Sequence, residues 1–178
     1  EAAYVTTVGP GIARLLEDRY HLTVRPTVIR NLPAYEHHPF RPSGDVVTVL
    51  YHGQFLPNRG LEQLITSVAR WPAHLQLVLR GFAPGDYERT LRELAATSGA
   101  GHRITFAGRA PMTELVSLAS SADIGIHPLQ EVSDQTKFSM PNKLFEYVMA
   151  GLAVVTSDLP DMAEIIDVHG VGATMAPT

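Results

Sequence analysis

Apolar residues fall into short runs separated by amphipathic stretches, and the alternation is regular from about residue 46 onward. Residues 46–52, 75–80, 103–107, 124–127 and 154–156 are short runs rich in β-branched and aliphatic side chains, the composition of buried strands. Between them, residues 61–71, 87–98, 112–120 and 161–167 space their apolar positions at helical intervals, and a last strand is expected at 172–175. Strands alternating with short helices predict an α/β fold, a Rossmann-like parallel sheet with helices on both faces. Such sheets bind ligands beyond the carboxyl ends of their strands.

The first part of the chain breaks this rhythm. A strand is expected at residues 2–8, a helix at 11–20 and a short strand at 25–30. Residues 31–44 carry Pro33, Pro39, Pro42 and Gly44, a linker composition. Two units follow: residues 1–43, and a sheet domain over residues 44–178.

The densest signal lies in residues 139–158, read as a long polar loop's end, a helix, a glycine turn and a strand. Pro141 suits the first helical turn, where its missing N–H is no loss. Leu144, Phe145, Val148 and Met149 recur at helical spacing and mark a core-facing side, leaving Asn142, Lys143 and Glu146 on another. Gly151 ends the helix, and Leu-Ala-Val-Val reads as an inner parallel strand. A helix amino end behind a loop, with a carboxylate one turn in, can hold a phosphate and a sugar hydroxyl together.

These residues resemble the donor-binding motif of retaining glycosyltransferases of family 4, which have the GT-B architecture. The family pattern runs roughly Pro-x-Lys-Leu-x-Glu-x-x-Ala-x-Gly-x-Pro-Val-Val; Pro141, Lys143, Leu144, Glu146, Ala150, Gly151, Val154 and Val155 match it, and Ala153 replaces its later proline. The resemblance implies that Glu146 grips the ribose of a sugar nucleotide. The family's second glutamate, which precedes this one with seven residues between them, touches the transferred sugar; Phe138 stands there.

Other strand ends fit the same resemblance. The family clamps the diphosphate with two cations in the first loop; here Arg59 keeps one and Gln54, after Gly53, replaces the other. An arginine binds phosphate oxygens through two N–H groups at once. Gly81 can let a ligand approach the backbone, and Arg80 beside it can supply the cation that Gln54 lacks. Gly108 and Arg109 match the segment that flanks the base. Amides of Met140, Asn142, Lys143 and Leu144 are expected to face the diphosphate, where the helix dipole favours an anion by about 0.3–1 kcal/mol. Arg59 and Glu146 are thus the catalytic candidates. The other expected donor contacts are Gly53, Gln54, Gly81, Gly108, Arg109, Met140, Asn142, Lys143 and Leu144.

The remaining chemistry is thin. Val8-Gly-Pro-Gly11 precedes a helix like a dinucleotide fingerprint, but Arg14 holds the third glycine's place, and a turn is the better reading. Eight histidines are scattered without metal-ligand spacing, including His37 and His38 in the linker, and no metal site is expected. Asp158 and Asp161 flank Pro160 and are expected to cap the helix that follows, with Glu164 structural.

Composition sets the outer bounds. The chain has 178 residues, enough for one substantial core, and a formal net charge of −4, which argues against bulk nucleic-acid binding. It has no cysteine, which excludes disulfides and fits a reducing compartment. No apolar run is long enough to span a membrane. The resemblance implies the donor half of a hexosyltransferase, with residues 1–43 ending an acceptor domain that the chain otherwise lacks. It implies no cofactor and a donor such as a UDP- or GDP-sugar. The acceptor, a glycan, lipid or small molecule, would be held by that first domain. A cytoplasmic location follows, with peripheral contact to the inner membrane face open through the first domain. Such a fragment is expected to bind nucleotide weakly and turn over nothing. The rival readings are a GT-B-like sugar-nucleotide epimerase and a non-catalytic partner subunit.

Overall fold

The computed structural model describes residues 4–39 and 41–177. Its sheet domain contains six parallel strands: β3 (Val47–Gln54), β4 (Leu75–Phe82), β5 (Ile104–Gly108), β6 (Ile124–His127), β7 (Ala153–Ser157) and β8 (Gly172–Met175). The spatial order is β5-β4-β3-β6-β7-β8. The chain winds outward in one direction from β3 and then in the other from β6, so a crevice opens where those two strands part.

A smaller unit precedes the sheet domain. Two short strands, β1 (Thr6–Thr7) and β2 (Thr27–Val28), pair in parallel around helix α1 (Pro10–Tyr20). Residues 2 and 3 of the expected first strand, and Phe40 of the expected linker, lie outside the described residues. The linker is anchored on the sheet domain, where an Arg41 nitrogen donates to the carbonyls of Ser121 and Ala122 and meets the Asp123 carboxylate at 3.2 Å.

Side-chain alternation on β3 divides the core in two. Val49 and Tyr51 join Leu61, Ile65, Leu77, Leu79 and Leu91, beneath α2 (Leu61–Ser67) and α3 (Tyr87–Thr97). Leu50 joins the opposite cluster, which includes Val116 of α4 (Leu115–Ala119), Leu144 and Tyr147, and Met162 and Ile166. Fully burying each such aliphatic side chain contributes roughly 1.5–3 kcal/mol.

The segment expected as a long loop contains a one-turn helix, α5 (Asp134–Lys137). Ser133 and Thr136 close it reciprocally: each side chain accepts from the other residue's backbone N–H. The threonine hydroxyl does here what a glutamate or glutamine does in the commoner capping box. Next comes the motif helix α6 (Asn142–Met149), and Pro141 is its N-cap residue, extended at ψ 143, rather than a member of the first turn. Its core-facing side also differs from the expectation. Leu144 and Tyr147 are fully buried, whereas Val148 is exposed. Helix α7 (Pro160–His169) begins at proline with Leu159 as N-cap, so neither Asp158 nor Asp161 caps it. Asp161 instead turns to the smaller unit, where its Oδ2 accepts the Gly11 N–H at 2.8 Å and caps α1. Gly9, the N-cap of α1, has no side chain to do so.

Candidate functional site

The predicted residues gather where β3 and β6 diverge. At the end of β3, the His52 ring packs at 4.6 Å from the Tyr147 ring, and its backbone N–H donates to the Tyr147 hydroxyl at 3.0 Å. That hydroxyl donates in turn toward the Ile126 carbonyl at 3.4 Å. Tyr147 thereby fixes the rotation of α6 about its axis, which places Glu146, one residue earlier, over the strand end. The Glu146 Oε2 lies 2.7 Å from His52 Nε2, with the imidazole fully buried and the carboxylate side chain 13% exposed. The contact is close enough for an ion pair, but its alignment falls outside hydrogen-bond geometry, and both His52 ring nitrogens lack a hydrogen-bond partner among the described residues. Glu146 is therefore held from the protein side and keeps partial access to solvent.

Lys143 does not pair with Glu146, its neighbour one turn on; its ammonium sits 4.0 Å over the Tyr51 ring. The same nitrogen crowds Gly53, where a Cβ would come within 3.0 Å of it. Burial lowers the Lys143 pKa to about 7; the positive charge of Arg59 pushes the same way, and the Glu146 carboxylate opposes them. His127, at the end of β6, is fully buried and held well below the usual histidine range by that burial, then by the charges of Lys143 and Arg59. Arg59 makes no ion pair among the described residues. Two cations thus share a half-buried corner with no carboxylate bonded to either, an arrangement that an anion would relieve.

Beside Gly53 a cavity of about 300 Å³ is lined by Gly53, Gln54, Arg80, Gly81, Phe82 and Arg109, among others. The Arg109 guanidinium stacks 3.5 Å over the Phe82 ring. Gly81 lines this space, but its backbone is required by the protein itself. At φ 154, a Cβ there would lie 1.8 Å from the Gly53 carbonyl oxygen of the neighbouring strand. Gly108 adopts φ 68 and is exposed beside Arg109.

Some expected contacts are spent elsewhere. The Leu144 side chain is in the core, and its N–H donates to the Pro141 carbonyl at 3.1 Å, so that amide is not free for a ligand. Met140 is 8% exposed and packs in the same core cluster. Asn142 and Lys143 occupy the first turn of α6, where backbone donors have no partner within the helix. Phe138 packs its ring on Gly11, where a Cβ would fall 2.1 Å from a ring carbon. It therefore roofs the start of α1. Sequence reasoning assigned no role to His52 or His127, although the run Tyr51-His52-Gly53 carries a polar ring in a buried strand, a departure that asks for a partner. Among the described residues, no three His, Asp or Glu side chains converge as metal ligands, and no helix is long and apolar enough to cross a membrane.

A family model described as Glycosyl transferases group 1 matches residues 46–178. The fold is similar to sucrose-phosphate synthase from Thermosynechococcus elongatus, 22% identical, with a TM-score of 0.76 over 100% of this chain and 46% of that one. It is also similar to Anabaena Alr3699/HepE solved in complex with UDP-glucose, 19% identical, with a TM-score of 0.64 over 97% of this chain and 40% of that one. WaaG, a glycosyltransferase involved in lipopolysaccharide biosynthesis, is 19% identical, with a TM-score of 0.59 over 94% of this chain and 38% of that one. The chain thus spans less than half the length of each of these proteins. A search of curated proteins found no match.

Proposed function

Because the chain belongs to the Glycosyl transferases group 1 family, we propose that it is the donor-binding half of a sugar-nucleotide glycosyltransferase, with residues 44–178 holding the nucleotide and residues 1–43 leading from an acceptor domain. The observation that carries this reading is the corner formed by Arg59 and Lys143, two cations without a bonded carboxylate beside the partly exposed Glu146. A diphosphate supplies the missing negative charge, and the Glu146 carboxylate accepts hydrogen bonds from the ribose hydroxyls. The Anabaena relative's complex with UDP-glucose supports the choice of ligand.

In this reading the chemistry is electrostatic. As the glycosidic bond to the diphosphate breaks, Arg59, Lys143 and the free amides of Asn142 and Lys143 stabilise the charge that builds on the leaving group. Glu146 fixes the nucleoside, so the anomeric carbon faces the crevice and the acceptor. Transfer of a hexose with retention, without a metal, follows the motif resemblance. Phe138 offers no hydrogen bond to the transferred sugar, so recognition of its hydroxyls falls to other groups. Calorimetry with UDP-glucose tests the reading: wild type binds, and Glu146→Ala and Lys143→Met each weaken it at least about tenfold, the loss of one charged contact. Equal binding by wild type and Glu146→Ala excludes the ribose role.

A further inference from the structure

We propose that Arg80 reads the nucleotide base and selects a carbonyl oxygen at C4 of a pyrimidine or C6 of a purine, as in uracil and guanine, over the amino group that cytosine and adenine carry there. This rests on the donor-binding reading above and assigns the third part of the same ligand. The diphosphate goes to Arg59 and Lys143 and the ribose to Glu146, none of which lines the cavity. Gly53 adjoins the Lys143 ammonium and also lines that cavity, which is left for the base. Its lining suits a flat ring with a polar edge: Phe82, Ala110, Met112 and Leu115 present apolar surface, and no carboxylate lines it.

Arg80 is placed to supply the polar contact. It lies directly across from His52 in the parallel pairing of β3 and β4, on the same sheet face as Val78, which packs with Leu50 and α4. Its Nε is buried without a hydrogen-bond partner, and the side chain has no ion pair among the described residues. A buried guanidinium donor with no acceptor is costly, and native proteins rarely leave one so. The guanidinium has donors only. Uracil and guanine turn a carbonyl oxygen toward such a group, whereas cytosine and adenine turn an amino group at the equivalent place, donor against donor. Gln54 and the backbone offer both donors and acceptors, so they do not impose this choice.

Matched pairs of nucleotides test the assignment. Calorimetry on the protein with UDP, CDP, GDP and ADP should give wild-type affinities favouring UDP over CDP and GDP over ADP by at least about tenfold, as expected where a buried donor is left facing the wrong group. In Arg80→Met and Arg80→Gln, both ratios should narrow to within about threefold, with folding checked by thermal unfolding. Arg80→Gln keeps a polar side chain if the methionine variant does not fold. Ratios unchanged in the folded variant overturn the proposal. So does a uniform loss across all four nucleotides, which would make Arg80 a phosphate contact. Wild-type binding without base preference overturns this inference alone. No binding of any of the four overturns the donor-binding reading and this inference with it.

Discussion

His52 Nε2 stands 2.7 Å from Glu146 Oε2, joining the end of β3 to the middle of α6 across 94 positions of sequence, 146 less 52. The imidazole is buried and the carboxylate is the more open partner. His52 is thus a positioning residue: it sets the direction in which Glu146 presents its other oxygen.

His52→Phe keeps the ring stacked on Tyr147 and removes the nitrogen that faces Glu146. With the carboxylate free to rotate, the affinity for UDP-glucose should fall about tenfold, close to 1.4 kcal/mol. His52→Gln, which restores a polar group at that place, should recover part of it. Calorimetry on both variants measures this. A fully retained affinity in His52→Phe would remove His52 from the site.

Lys143 makes binding depend on pH. With its pKa lowered to about 7 by burial, the free protein loses this positive charge as pH rises past neutrality. In the proposed binding mode a diphosphate would stabilise the charged form, and binding would take up a proton. The UDP-glucose affinity should be greatest below pH about 7 and decline above it, by at most tenfold per pH unit. Stability moves in the opposite direction. Between about 7 and the ordinary 10.5 the unfolded chain binds the proton that the folded chain has lost, so Lys143's contribution to stability rises with pH across that window. Titrations from pH 6 to 9 in buffers of differing ionisation heat measure both the slope and the proton uptake; the slope should vanish in Lys143→Met.

Gly81→Ala should destabilise the fold by about 2–4 kcal/mol, from a positive φ that alanine resists combined with overpacking. The new methyl group would meet the Gly53 carbonyl at 1.8 Å, and β3 and β4 have to part to admit it. Denaturant unfolding at equilibrium measures the loss. A drop in affinity with stability intact would return Gly81 to the role of a wall kept clear for ligand.

The sequence revealed the architecture because local pattern and fold agree across the sheet domain. The strand expected at residues 124–127 is β6 to the residue, and the alternation of elements led to the parallel sheet. It misplaced the face of α6, because the burial of Tyr147 answers a distant demand: its hydroxyl serves the His52 amide and the Ile126 carbonyl. Periodicity within α6 favoured Val148, which is exposed. The same limit hid the His52–Glu146 contact and the use of Asp161. Each joins segments whose proximity exists only after folding. Lys143 and Glu146 stood out because one motif carries them together, and Arg59 because its loop matches a second pattern; that the Leu144 N–H is taken by the Pro141 carbonyl was hidden, because a motif does not distinguish residues that touch ligand from those that hold the helix in place.

Asp161 ties the smaller unit to the sheet domain, and its removal should loosen that unit alone. Its Oδ2 is the acceptor for the Gly11 N–H, and Arg14 approaches Oδ1 at 3.8 Å. Burial raises the Asp161 pKa above its ordinary 3.8, while the Gly11 N–H and the Arg14 charge oppose the rise. Asp161→Ala leaves the first turn of α1 without its cap, a loss of about 1 kcal/mol. Asp161→Asn keeps a carbonyl oxygen for the Gly11 amide and should cost less. Hydrogen exchange followed by mass spectrometry should show faster exchange in residues 10–20 of the alanine variant, with β3, β4 and β6 unchanged, because those amides depend on the sheet core. Faster exchange across the whole sheet would mean that Asp161 supports the domain core and does not act as a local cap.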